Sequence, residues 1–331
     1  MKKKRGFLLI ILLFTLTGYT GCDVKGRSTA ESPLSIGRFD RDLYRLTETD
    51  TPELRERIAV DYASLLKDIG LSLFRVKDTD TTDFLDRLVN YYSEPALNRL
   101  YRDVLKRFET MEAMEEVLGN SFRYLRDQFP GMQLPAVYVH VSGLQQNVIV
   151  GDSLLSISLD KYMGADYPLY RDYFYAYQLR KMEPACIVPD YLTAWLLSEY
   201  PFKGDKRVLL ERMIYEGKIK YILYRACPRL IPEMWMGYAP EEYQWCKRNE
   251  KWLWGMMIER KQLYTPDIAA TAKYFSDAPS TFVADGAPGN LGVWMGWQIV
   301  EKYMSKTKVS VAELMNNTNC QDILAKSKYK P

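Results

Sequence analysis

Residues Leu209–Tyr224 read LLERMIYEGKIKYILY. Leu209, Leu210, Met213, Ile214, Tyr221 and Tyr224 recur at spacings of three and four, which predicts a helix. Inside it stands Glu216-Gly217, a carboxylate followed by a residue with no side chain. At about 100° per residue, Glu216 falls beside Leu209, Met213 and Leu223, at the edge of the apolar face. A carboxylate so placed needs a partner. Lys220, four residues on and in the favourable order, would supply one worth roughly a few tenths of a kcal/mol. The competing expectation is that Glu216 points into a cleft, as the metal-ligand Glu of a helix-borne zinc site does.

The flanking chain predicts more helix. Upstream, Asp190–Tyr200 (DYLTAWLLSEY) reads as a helix capped by Asp190. Downstream, Pro228 should end the Glu-Gly helix, and Met234–Met257 is expected to be helical from about Glu241. A turn region, Ser280–Gly292, then delivers helices over Trp294–Met304 and Ser310–Asn316. In the N-terminal third, Thr51-Pro52-Glu53 is a helix start leading through Leu54, Ile58, Tyr62, Leu65 and Leu66 to about Gly70. Phe84–Tyr92 and a long Pro95–Leu125 continue the helical period. Between the helical parts, Pro135–Val141, Asn147–Val150 and Ser153–Leu159 are β-branched runs parted by Ser-Gly and Gly-Asp, read as a three-stranded meander. The fold class is therefore α+β, mainly helical with one small sheet, and no composition break divides residues 36–331.

Composition narrows the chemistry. The chain has 331 residues, 45 basic against 42 acidic, 47% apolar and 26% charged, as expected of a folded globular protein. Outside the leader no basic stripe occurs, so a nucleic-acid partner is not expected. One histidine, His140, excludes a His-Glu-x-x-His zinc helix and leaves one imidazole for any Ser-His or Cys-His system. His140 alternates with Tyr138 and Ser142, and is expected at the surface or on an edge strand. Cys186, Cys227, Cys246 and Cys320 lack C-x-x-C spacing and leave two disulfides, one or none open. No cofactor is expected.

Met1–Leu16 couples a basic start to an apolar run too short to span a bilayer comfortably, and Tyr19-Thr-Gly-Cys22 follows. This ending resembles the bacterial lipobox, in which the signal peptide, residues 1–21, is cut off and Cys22 is lipidated. Acyl chains on Cys22 would anchor the protein without spanning the membrane. Residues 22–35 then serve as a flexible tether.

Several stretches taken together, Ser158–Gly164 with Tyr167-Pro168, Ile187–Asp190, Met213–Lys218 and Pro288–Gly296, resemble the GldB gliding-motility lipoprotein family of Bacteroidetes. The Arg38-Phe-Asp-Arg-Asp-Leu43 opening fits too. That family is similar to predicted zinc-dependent metallopeptidases, in which a His-Glu-x-x-His helix precedes a helix carrying Glu-Gly. Glu216-Gly217 matches the second element, whereas Ile187–Tyr200 holds no histidine. The resemblance thus implies a zincin-like shell without metal or catalytic residues, its degenerate cleft marked by Asp190, Glu216, Gly217 and Trp294. It further implies a non-enzymatic lipoprotein of the gliding-motility and type IX secretion setting. Such a protein would sit in the cell envelope, the outer membrane ahead of the inner, and bind an envelope protein. Two alternatives stand beside this. One is a glycan- or peptide-binding lipoprotein, for which Trp235, Trp252 and Trp294 should line an open cleft. The other is a hydrolase using a carboxylate pair such as Asp190 with Glu216.

Overall fold

The computed structural model describes residues 34–76 and 81–331. The leader, Cys22 and all but the end of the tether lie outside them. Leu34 already packs against the core, and the Ile36 amide donates to Glu115 at 2.8 Å.

Six helices come first: α1 (Phe39–Glu48), α2 (Pro52–Asp61), α3 (Ala63–Ile69), α4 (Thr81–Ser93), α5 (Pro95–Arg107) and α6 (Glu112–Gln128). Thr51 caps α2 by accepting from the Leu54 amide, and Pro52 occupies the first turn, where no amide partner is needed. The long helix expected over Pro95–Leu125 is two. At Phe108 the backbone leaves the helix (φ −114°, ψ 47°), and Phe108 and Met111 both turn into the core across the break. Charges of mixed sign run on at helical spacing through this bend, which hides it from a reading of the pattern.

The sheet is three-stranded, as expected, but it is not a meander. β1 (Ala136–His140), β2 (Val148–Val150) and β3 (Leu154–Ser158) lie in the order β1-β3-β2, with β3 parallel to β1 and antiparallel to β2. The hairpin through Gly151–Ser153 folds β3 back inside β2, so the central strand is the last one. All five β3 residues are buried, the serines included. Asp160, just past β3, ties the β1–β2 loop. Its fully buried carboxylate accepts from the Ser142 amide at 2.9 Å, the Leu144 amide at 2.6 Å and the hydroxyls of Ser142 and Ser158. His140 does lie on the outer strand β1, but it is 1% exposed, with Nδ1 2.8 Å from the Ser156 hydroxyl. Burial pushes its pKa down to about 3, so the surface position is corrected to a neutral core imidazole.

The C-terminal half comprises α7 (Ala176–Leu179), α8 (Ile187–Glu199), α9 (Leu209–Ala226), α10 (Pro232–Met236), α11 (Pro240–Glu259), α12 (Ile268–Lys273), α13 (Leu291–Lys306), α14 (Val311–Asn316) and α15 (Cys320–Ser327). α9 is the helix read first. It is buried nearly all round, packs most extensively on α13, and also touches α6, α8, α14 and α15. α8 starts three residues before the expected Asp190 cap. A turn over Pro184–Cys186 runs straight into it, and Pro189 fits in the first turn, where amides need no helical partner. α15, not anticipated, is capped by Asn319, which accepts from the Asp322 amide at 2.9 Å. The four cysteines from Cys186 onward are free thiols.

Candidate functional site

Gly217 and its neighbour Glu216 do different work on α9. Gly217 faces α13 where Gly296 faces back. A Cβ on Gly217 would lie 2.7 Å from the Trp297 nitrogen and closer still to the Gly296 carbonyl; one on Gly296 would lie 2.5 Å from the Met213 carbonyl carbon. The two backbones touch there, which fixes the depth at which α9 sits and where Glu216 emerges.

Glu216 emerges into a cavity of about 170 Å³ lined by Lys181, Arg212, Lys220, Phe275, Asn290 and Val293 besides itself and Met236. The helical period puts Arg212, Glu216 and Lys220 on one stripe of α9. Lys181 comes from the turn after α7. Asn290 comes from the loop before α13, where it adopts a left-handed conformation (φ 53°) and its side-chain amide donates to Asp277 at 2.6 Å. Lys181 meets the same Asp277 carboxylate at 3.1 Å. A second chamber of about 150 Å³ shares Lys181, Met236 and Asn290 and extends past Phe174, Tyr177 and Tyr238.

The expected Glu216–Lys220 pair does not form. Lys220 Nζ reaches instead toward α10, 3.4 Å from the Trp235 carbonyl and 5.6 Å above the Trp235 ring. Arg212 lies over Phe275, its guanidinium carbon 3.9 Å from the ring centre. Glu216 makes no hydrogen bond or ion pair with any described residue, and feels Lys220, Arg212 and Lys181 only through space. Burial raises its pKa and those three cations pull it back. Burial and the nearby Lys181 push Lys220 down to about 8, against the pull of Asp190, Glu216 and Asp277.

The other sequence-predicted residues divide. Asp190 does not cap α8; its carboxylate accepts the Tyr162 hydroxyl at 2.6 Å, within the field of Lys220 and Lys181, and burial raises its pKa. Trp294 is 1% exposed and belongs to the core, not to the cleft wall. Trp235 is buried as well, while Trp252 is exposed on α11 beside Trp245, so the aromatic cleft expected of a glycan binder is not assembled from these three. Sequence reading named Lys220 but missed Arg212 and Lys181. Arg212 and Lys220 flank Glu216 at i−4 and i+4, and that symmetry was the available signal. Among the described residues no three His, Cys, Asp or Glu side chains gather as a metal site would need, and no helix is long and apolar enough to cross a membrane.

Residues 23–331 match the family model described as gliding motility protein GldB. The chain belongs to the GldB family. The motifs that suggested it now have places: Asp160 ties the sheet, Asp190 holds Tyr162, Glu216-Gly217 forms the cavity edge and helix crossing, and Gly296 completes that crossing. Membership in this lipoprotein family associates the protein with the cell envelope. No curated protein and no solved structure matches the chain.

Proposed function

We propose that this GldB-family protein is a non-catalytic envelope lipoprotein of the gliding-motility and type IX secretion setting, anchored through Cys22, that acts by binding a protein partner on a degenerate metallopeptidase-like frame. One observation carries the reading. The carboxylate of the Glu-Gly element is surrounded by Lys181, Arg212 and Lys220, the fixed positive charge that a metal would otherwise bring. A dication entering beside three cations would meet repulsion in a partly buried site, where screening is weak. The neighbouring α8 offers Asp190 and no imidazole, and Asp190 already holds the Tyr162 hydroxyl. The lone histidine sits in the sheet, neutral and hydrogen-bonded to Ser156.

Two measurements test this. Metal analysis of the purified, tag-free protein should find no stoichiometric zinc; one zinc per chain overturns the non-catalytic reading. Pull-down of the lipidated protein from its own membrane should recover a defined envelope protein at a fixed ratio. Recovery of the protein alone, with cross-linking, goes against the binding role.

A further inference from the structure

The charges lining the Glu216 cavity are arranged for a particular kind of ligand. Arg212 sits over the Phe275 ring, its central carbon 3.9 Å from the ring centre, and a guanidinium carries paired N–H donors that can take an oxyanion in bidentate fashion. Lys220 Nζ has three donors and spends one on a long 3.4 Å contact. Among the described residues Lys181 pairs with Asp277, whose side chain is 64% exposed; a pair so open to solvent is weak and can be redirected. These three groups converge on the same small space as Glu216, the one lining carboxylate with neither a hydrogen bond nor an ion pair to a described residue.

We propose that this cavity binds a free α-amino acid as its zwitterion. The ligand carboxylate meets Arg212 and Lys220, with Lys181 beside them, and the ligand ammonium meets Glu216. Size, charge and shape each narrow the class. At about 170 Å³ the cavity is below the roughly 300–1,000 Å³ of sites for drug-sized ligands, so it takes a small molecule. A simple carboxylate would satisfy the cations and leave Glu216 unpartnered and half-buried. A dianionic phosphate would press a second negative charge against Glu216. A group carrying both charges on one carbon satisfies both sides. The adjoining chamber receives the side chain; Phe174, Tyr177 and Tyr238 in its wall suit an aromatic one, and Lys161, Gln178 and Asp277 in the same wall suit one with a polar tip. Arg180 and Glu242 in that wall neutralise each other.

This rests on the reading of the site as a binding cleft and not on the identity of any protein partner. The test is calorimetric titration of the full lipidated chain in detergent with single amino acids, followed by the best ligand's N-acetyl derivative, its decarboxylated amine, and inorganic phosphate. Saturable binding is expected for at least one amino acid, at least ~10-fold weaker for both derivatives and for phosphate. Glu216→Gln should erase the preference for the free amine over the N-acetyl form, and Arg212→Gln the preference for the acid over the decarboxylated amine. No binding of any amino acid at about 10 mM, or an N-acetyl derivative or phosphate that binds as tightly, overturns the proposal. The ligand comparison uses wild-type protein, so it decides the matter even if a variant unfolds. A failed membrane pull-down with successful titration removes the protein-partner reading and leaves this one standing.

Discussion

The crossing of α9 and α13 can be tested by adding one carbon. In Gly217→Ala the new Cβ would lie 2.7 Å from the Trp297 nitrogen and closer to the Gly296 carbonyl, whereas real Cβ atoms essentially never come within 3.0 Å of such neighbours. Both obstacles are backbone and cannot rotate aside, so α13 must withdraw by about an ångström along a close-packed interface. Overpacking of this kind costs about 1–3 kcal/mol, and a backbone obstacle puts it at the upper end. Alanine returns about 1 kcal/mol of helix propensity, leaving a net loss of roughly 2 kcal/mol. Urea unfolding followed by tryptophan fluorescence reads this directly, since Trp294 and Trp297 lie on α13 beside the crossing; in a thermal melt the midpoint should fall by about 3 °C. Gly255→Ala is the control. Gly255 is an exposed residue of α11 with nothing within 4 Å of a built Cβ, so alanine there should stabilise by about 0.5–1 kcal/mol. If Gly217→Ala matches Gly255→Ala, the helices are not in backbone contact and the placement of Glu216 argued from that contact is wrong.

Three further outcomes are expected. The single imidazole C2–H resonance should stay at its neutral position from about pH 7.5 to 5, because His140 takes a proton only near pH 3 in the fold; a midpoint above pH 5 contradicts the buried placement. The unfolded chain protonates that ring near pH 6.5, so His140 removes stability as pH falls from about 6.5 toward 3, at about 1.4 kcal/mol per unit. Asp160→Ala leaves two amides and two hydroxyls facing a void, and should cost about 3–5 kcal/mol in urea unfolding, a loss under about 1 kcal/mol refuting the role of that carboxylate. Lys218 is 5% exposed, and burial pushes its pKa down to about 8. The unfolded lysine keeps its proton to about pH 10.5, so wild-type stability should rise between about pH 8 and 10.5. In Lys218→Met that rise should shrink; an unchanged slope between pH 7 and 9.5 would show that Lys218 is solvated.

The helical C-terminal half was legible because its period is strong and its ends carry recognisable caps, as at Ser310, whose side chain and Glu313 reciprocate hydrogen bonds. The misses have physical causes. α8 was cut short because Asp190 looks like a cap, yet Pro189 is tolerated inside the first turn and the helix begins before it. Strand order was beyond reach: hydrophobic alternation marks a strand but not its neighbour, and Asp160, whose bonds hold the β1–β2 loop, reads in sequence as an ordinary surface acid. Alternation puts His140 opposite the valines and so predicts a surface or edge-strand residue; the edge strand is right, but this sheet is covered on both faces and the side chain is buried. At the site, the sequence marks Glu216-Gly217 as a carboxylate beside a residue without a side chain, and in the fold Gly217 meets the Gly296 backbone of α13. Lys220 is legible at i+4, whereas Lys181 is 35 positions away and comes beside Glu216 only through the fold, from the turn after α7.

On the proposed reading of a metallopeptidase-like frame without its histidines, the cleft need not be empty. Glu216 is half-buried, and burial alone would drive its carboxylate toward protonation. A carboxylate so placed either takes up a proton or is met by positive charge from the protein. Here it is supplied three times, by Arg212 and Lys220 from one stripe of α9 and by Lys181 from outside it. None of the three closes on Glu216 as an ion pair: Arg212 is held by Phe275, Lys220 by the Trp235 carbonyl, and Lys181 by Asp277. Had neutralisation alone been served, the i,i+4 pair of Glu216 with Lys220 would have sufficed. Side chains kept apart by separate anchors leave room between opposite charges, and that room is what a small zwitterion fits.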